Sequence, residues 1–224
     1  MIPAGSRAAL VSEAGSAGER FLGAAGLVAL SPLILAVAVA LRIGQGAGIV
    51  FRQRRVGRRG APFTILKFRS MQQGGGPRIT STGDRRLTPL GAFLRRYKLD
   101  ELLQLWNVVK GEMSLIGPRP EVPEFVDLKD PVWQAVLSVR PGITDLASLI
   151  YRDEEKMLAR VEAGEQYYRD VVLPAKLRLN LEYMGRRSLL LDLKLILLTL
   201  RYSFIPRGFD PERIRRAFSP GAPA

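Results

Sequence analysis

Two adjacent acids, Asp100 and Glu101, stand within Leu99-Asp100-Glu101-Leu102 at the end of a long basic stretch. The chain has no histidine and no cysteine. Disulfides, thiolate nucleophiles, Cys/His zinc sites and histidine-based triads are therefore excluded. Carboxylates, lysine, arginine and hydroxyls remain for catalysis, with or without a hard metal ion held by oxygen. An acidic pair suits such chemistry in two ways. Mg²⁺ takes one or two carboxylates together with phosphate oxygens and water. A carboxylate can also attack phosphorus to give an acyl phosphate. Taken alone, the simpler reading is a solvated pair balancing Arg95, Arg96 and Lys98. Neighbours on a helix project about 100° apart, so the two acids share an ion only if the helix end faces a cleft.

The charge around this pair is unevenly placed. The net charge is +13, and from Arg42 to Lys98 there are fourteen basic residues against one acid, Asp84. Elsewhere twenty basic residues meet twenty acidic ones. A field concentrated in one quarter of the chain attracts phosphate, whether in a substrate, an anionic headgroup or a nucleic acid. At 47% hydrophobic and 25% charged, the composition is that of a folded chain.

Upstream lies an uncharged run of twenty-one residues, Phe21 to Leu41. As a helix it would about cover a bilayer core of roughly 30 Å. It is longer than the usual signal-peptide core, and no small-residue cleavage site precedes polar sequence. Its centre reads Ser31-Pro32. Pro32 cannot donate to the Val28 carbonyl, so a helix bends there, and the Ser31 hydroxyl can reach a nearby carbonyl instead. Two readings stay open at this point: a kinked span, or a re-entrant helix returning to the same face. Arg52, Arg54, Arg55, Arg58 and Arg59 put the C-terminal side in the cytoplasm.

Residues 49–56 and 62–68 alternate around Gly57-Arg-Arg-Gly60 and predict a β-hairpin. Gln72 to Pro77 reads as a flexible connector, irregular to about Thr88. Apolar residues from Leu90 to Val109 recur at helical spacing, which predicts one helix opened by Pro89 and closed at Lys110-Gly111. Gly117-Pro-Arg-Pro120 predicts a stiff loop, 131–139 a short helix, and Arg140-Pro-Gly142 a second loop. Two amphipathic helices are expected from Asp153 to Met184, broken near Pro174. The leucine-rich stretch from Ser188 to Ile205 predicts a helix, either buried or lying in the headgroup layer, the second being favoured beside a membrane segment, and residues 219–224 predict a disordered tail.

Read together, these features resemble the monotopic phosphoglycosyl transferases, also called the bacterial sugar transferase family. The matching residues are Ser31-Pro32, Phe51-Arg-Gln-Arg-Arg-Val-Gly57, Lys67-Phe-Arg-Ser-Met71 and Leu99-Asp-Glu-Leu102. Gln104-Leu-Trp-Asn-Val-Val-Lys-Gly111, Met113 to Glu121, Arg140-Pro-Gly-Ile-Thr144 and Leu190-Leu-Leu-Asp-Leu-Lys194 follow in order. Each is weak; so many in order are specific. The resemblance implies a helix-rich, mixed α+β fold. It would hold a re-entrant membrane helix kinked at Ser31 and Pro32, a small β-hairpin, and amphipathic interface helices around a cytosolic catalytic core. The implied division is an N-terminal flank over 1–20, the membrane helix over 21–42, the catalytic domain over 43–218 and the tail. Lacking further membrane helices, the chain reads as the minimal catalytic form.

The resemblance also implies a two-step reaction at the cytoplasmic face of the bacterial inner membrane. Asp100 would attack the β-phosphorus of a UDP-sugar and release UMP, and polyprenyl phosphate would then take the phosphosugar. Asp100 and Glu101 would hold Mg²⁺. Lys67, Arg69, Arg119, Arg140 and Arg152 are the expected phosphate or nucleotide contacts, while Arg54 and Arg55 are read as facing headgroups. Expected partners are the UDP-sugar, polyprenyl phosphate and membrane lipid, with a homodimer also in view and nucleic acid not. Leu103 stands where the family often has proline, and Asp145 to Arg152 departs from its usual run, which leaves sugar recognition open. The rival readings are a membrane-anchored scaffold without activity and a basic nucleic-acid-binding protein.

Overall fold

A computed structural model describes residues 16–72, 84, 86–205 and 207–218. Of the expected connector, Gln72 to Pro77, all but Gln72 lies outside the described residues, as does the tail from 219.

The uncharged run forms two helices, α1 (Ser16–Ala29) and α2 (Ser31–Gln45). They meet at 60°. The bend falls where Pro32 removes a backbone donor, and the Ser31 hydroxyl donates to the Val28 carbonyl at 2.7 Å. Among the described residues no single helix is long and apolar enough to cross a membrane, although the bent pair together meets that test. Phe21, Val28, Leu35 and Ile43 on this pair are exposed.

The hairpin follows as expected. Strands β1 (Val50–Val56) and β2 (Pro62–Phe68) pair antiparallel, with Phe51 opposite Lys67 and Val56 opposite Pro62. Arg59 and Gly60 at the turn both have positive φ, 56° and 79°. Successive strand residues face opposite ways, so Arg54 is exposed while Arg55 turns inward. The Arg55 guanidinium donates to the Pro120 carbonyl at 3.0 Å and lies 3.7 Å from Glu121, which corrects its expected headgroup-facing role.

The single helix expected over 89–109 is broken. Helix α3 (Pro89–Arg96) opens at Thr88, whose hydroxyl accepts from Gly91 N at 2.9 Å. It ends at Arg96, and Lys98 just beyond adopts the left-handed region at φ 57°. A 3₁₀ turn, Leu99–Glu101, comes next, and α4 (Gln104–Lys110) resumes the helix. The apolar spacing is compatible with an unbroken helix, and lysine is no signal for the left-handed residue that breaks it, so the pattern alone could not reveal the break. Gly111, at φ 77°, closes α4 as expected.

Two short strands missed in the sequence, β3 (Ser114–Ile116) and β4 (Gly142–Thr144), pair in parallel across the two proline loops. A Cβ on Gly142 would sit 2.1 Å from Gly117 N, so this crossing needs glycine. Helix α5 (Pro131–Val136) lies between them in sequence, and α6 (Leu146–Ile150) follows β4. The break expected near Pro174 comes earlier: α7 (Glu154–Leu158) and α8 (Gly164–Tyr167) are separated by residues 159–163. A π-turn, Tyr168–Val172, then runs into α9 (Leu173–Arg186), where Pro174 occupies a first-turn position needing no donor. The leucine-rich stretch is α10 (Leu189–Phe204), and α11 (Pro211–Phe218) closes the described chain.

Helix α1 crosses α4 closely, because a Cβ on Gly23 would already touch the Val108 side chain at 3.2 Å. Arg20 donates to the Val109 and Lys110 carbonyls, capping the C-terminal end of α4. Helix α2 packs through Val37 and Leu41 on Phe68 and Leu94. Separate clusters around Trp133, Tyr168 and Leu177, and around Leu146, Tyr183 and Leu195, form the larger parts of the core, with smaller ones at Val139 and Met184 and at Ile65, Val108 and Met113.

Candidate active site

The broken helix turns the acidic pair inward. Asp100 is 6% exposed and Glu101 8%, which overturns the reading of a solvated pair. Holding Lys98 left-handed costs about 1–2 kcal/mol, so the packing of the turn must offset that strain. Lys67, from the neighbouring strand β2, donates to Glu101 Oε1 at 2.9 Å. The Arg119 guanidinium, from the loop between β3 and α5, forks onto both Glu101 oxygens. Residues separated by 34 and 18 positions thus converge on one carboxylate.

The two acids differ in what surrounds them. Asp100 Oδ1 is buried and meets no hydrogen-bond partner among the described residues. Burial and the adjacent Glu101 charge push the Asp100 carboxyl above the usual range, against the pull of Lys67, Lys98 and Arg95. Burial alone would also raise Glu101, yet Arg119, Lys67 and Lys98 outweigh it and hold Glu101 well below the usual range. A proton shared between them therefore sits on Asp100. At Arg119, Glu101 raises the pKa against the opposing effect of burial.

Burial lowers the Lys67 ammonium to about 8, with Glu101 opposing only in part. Its sign sets a measurable consequence. Between about 8 and the ordinary 10.5 the unfolded chain holds the Lys67 proton and the native protein does not. Stability conferred by this residue therefore rises with pH across that window. The melting-temperature difference between wild type and Lys67→Met is expected to shift in favour of wild type from pH 8 to 10.5. A flat difference would refute the buried ammonium.

Other polar side chains build the frame. Asn107 accepts from Leu66 N at 3.1 Å and donates to the Thr64 carbonyl at 2.8 Å, tying α4 to the strand that carries Lys67. Arg95 donates to Ser70 Oγ at 2.9 Å and pairs with Glu155 at 2.8 Å. Behind Arg119, Tyr168 donates to Glu121 Oε1 at 2.6 Å, and Lys176 reaches the Tyr168 hydroxyl and Glu154. None of Asn107, Arg95, Glu121 or Tyr168 was given a role in the site from the sequence. Asn107 gave no signal in the apolar period, because it lies off the stripe of Leu102, Leu105, Trp106 and Val109. A cavity of about 10 Å³ among Val56, Arg119, Trp133 and Pro141 has room for about one water, too small for substrate.

Lys67, Asp100, Glu101 and Arg119 are thus brought together, and the remaining expected contacts are not seen to join them. Arg69 donates to the Gln45 and Ala47 carbonyls, holding the connector from α2 to β1. The guanidinium of Arg152 lies 5.8 Å from the Phe209 ring centroid. The backbone carbonyl of Arg140 lies against Gly117, inside the β3–β4 crossing.

The donor set bears on a metal ion. Among the described residues no group of three or more acids could hold one. Asp100, with an unengaged oxygen, fits a Mg²⁺ that takes most of its ligands from phosphate and water. The Glu101 oxygens face Lys67 and Arg119 and become available only if those cations turn elsewhere.

A family model described as bacterial sugar transferase matches residues 15–205. A UDP-N-acetylgalactosamine-undecaprenyl-phosphate N-acetylgalactosaminephosphotransferase of Aeromonas hydrophila is 43% identical over 127 residues, 54% of this chain and 30% of that protein. A UDP-glucose:undecaprenyl-phosphate glucose-1-phosphate transferase of Xanthomonas campestris pv. campestris is 35% identical, over 81% of this chain and 37% of its own length. The exopolysaccharide production protein ExoY of Sinorhizobium fredii is 34% identical over 67% of this chain and 75% of its own. The chain thus spans about a third of the length of the first two relatives and three quarters of the third.

Proposed function

This chain belongs to the bacterial sugar transferase family, and on that premise we propose that it moves a sugar 1-phosphate from a UDP-sugar to polyprenyl phosphate. The observation that carries the reading is the buried Asp100 carboxylate, with one oxygen unengaged, beside an acid neutralised by Lys67 and Arg119. A desolvated carboxylate is a stronger nucleophile than a hydrated one, and the surrounding cations let it approach a diphosphate.

In the first step Asp100 forms a bond to the β-phosphorus. The bond from that phosphorus to the bridging oxygen breaks, and UMP leaves with the electron pair. An oxygen of polyprenyl phosphate then attacks the same phosphorus, and the Asp100 carboxylate departs. The product is a polyprenyl diphosphosugar, the starting unit of a cell-envelope glycan. Lys67 and Arg119 turn from Glu101 to the phosphate oxygens as the donor enters; the planar fork of Arg119 suits two oxygens at once. Mg²⁺, held by Asp100 and by Glu101 once released, would neutralise diphosphate charge and orient it. UMP release from a panel of UDP-sugars, with Mg²⁺ and undecaprenyl phosphate, tests the reaction. A labelled sugar phosphate recovered on Asp100 would support the covalent step; a label on another peptide, or kinetics demanding a ternary complex, would refute it.

The same proposal places the protein at the cytoplasmic face of the bacterial inner membrane, with residues 21–42 re-entrant and 43–218 forming the catalytic domain. Both ends of the bent pair support this. Arg20 is bonded to the end of α4, and Gly44 lies against Leu90 of α3, so each arm returns to the same helical layer. Exposed Leu189, Leu190, Leu193 and Leu197 give α10 a face suited to the headgroup boundary. Replacing Pro32 by Ala restores the backbone donor and lets the two helices align. A cysteine introduced near the N-terminus of this cysteine-free chain is then expected to become reactive from the opposite side of the membrane. Unchanged labelling would remove the role given to the proline.

A further inference from the structure

The Gln104 side chain is wholly buried, at 0% exposure, and neither its oxygen nor its nitrogen meets a hydrogen-bond partner among the described residues. An amide held this way costs stability, so its presence calls for a physical reason. Its position supplies one. Around the acidic turn, backbone bonds run three residues apart: Glu101 N to Lys98 O at 3.2 Å, Leu105 N to Leu102 O at 3.2 Å and Trp106 N to Leu103 O at 3.1 Å. At three residues per turn, side chains three apart eclipse. Glu101 and Gln104 therefore stack, and Asn107, three residues into the α-helical turn of α4, continues that face with an offset of about 60°.

The outer members of that stack define where the face looks. Glu101 is bonded to Lys67, and Asn107 to Thr64 and Leu66, all on β2. Gln104 lies between them, one turn from the carboxylate held by Lys67 and Arg119. In the free protein those two cations satisfy Glu101. Once a diphosphate draws them away, Glu101 becomes a buried carboxylate with two oxygens to satisfy: one could serve Mg²⁺, and the other needs a donor.

We propose that Gln104 is a positioning residue that takes over Glu101 when substrate engages Lys67 and Arg119, its Nε2 donating to the released carboxylate. Resting on the proposed reaction, this assigns the amide a partner only in the loaded state. Glu101 then stays oriented beside Asp100 while phosphorus is attacked. The amide acts through Glu101 and does not touch the reacting atoms.

The test compares two variants of the full chain in detergent, using the UDP-sugar from which wild type releases UMP fastest. Gln104→Met keeps the volume and removes the amide; Gln104→Asn keeps an amide but loses a methylene. The Met variant is expected to melt at or above the wild-type temperature, with kcat at least ten-fold lower and KM for the donor within two-fold. The Asn variant is expected to melt lower yet turn over faster than the Met variant. A role in packing alone moves stability and activity together and cannot produce this crossing. A Met variant with wild-type kcat, or one that melts well below wild type, overturns the proposal. If wild type releases UMP and Asp100→Asn does not, that failure belongs to Gln104 alone. If wild type releases none from any donor, the reaction itself falls, and the melting comparison still decides whether the amide is unpartnered.

Discussion

Asp100→Asn is expected to lower UMP release at least about a thousand-fold, roughly 4 kcal/mol of transition-state stabilisation. The same change should leave the melting temperature unaltered or raise it. Burial lifts the Asp100 pKa, so the native state favours the protonated acid more than the unfolded chain does. A group raised in this way contributes stability at low pH and loses it as pH rises through the native value. Near neutrality, well above the unfolded value, the buried carboxyl therefore works against folding in either form. Asparagine has nearly the same shape and no charge, so the penalty disappears with the nucleophile. UMP release and thermal melting of the same preparation read both effects. An active Asn variant would sink the covalent route. An inactive one that also melts far below wild type would instead make Asp100 a structural acid.

Gly91→Ala should be the most damaging of the single-methyl changes in the site's frame. The added Cβ would lie 1.8 Å from the Ser70 carbonyl oxygen, and that backbone cannot yield as a flexible side chain would. Alanine is the better helix former by about 1 kcal/mol, but overpacking against a backbone is expected to outweigh that, with a net loss of about 3 kcal/mol. For a chain of this size, that loss corresponds to a fall of about 6–12 °C in melting temperature. Activity should fall with stability, since Ser70 accepts from Arg95 and the Arg95 charge acts on Asp100. Gly185 in α9 is the control: a Cβ there meets nothing within 4 Å, and Gly185→Ala should be neutral or slightly stabilising. Equal melting of the two variants would mean that α3 does not rest on Ser70.

Much of the frame was legible from residue order. The bend at Ser31-Pro32, the hairpin around Gly57 to Gly60, the opening of α3 at Pro89 and the closing of α4 at Gly111 each follow from a backbone preference that operates within a few residues. The family was legible too, because its motifs recur in order along residues 15–205. The break in the helix over 89–109 was not. The apolar spacing fits an unbroken helix, and nothing in it marks Lys98, a residue type that seldom turns left-handed, as the point where the helix stops.

The amino-acid order by itself determined local geometry, the concentration of positive charge before Lys98 and the absence of histidine and cysteine chemistry. Only the tertiary structure decided which cations meet which acid. Lys67 and Arg119 close on Glu101, while Arg69 and Arg152 face other partners, although all four are basic residues within recognisable motifs. The same holds for the β3–β4 pairing, which needs two distant glycines to pass at backbone contact. Residue type carries charge and local dihedral preference, but long-range convergence is selected by packing the whole chain. The difference between Asp100 and Glu101 arises there, because burial acts on both and only one receives partners.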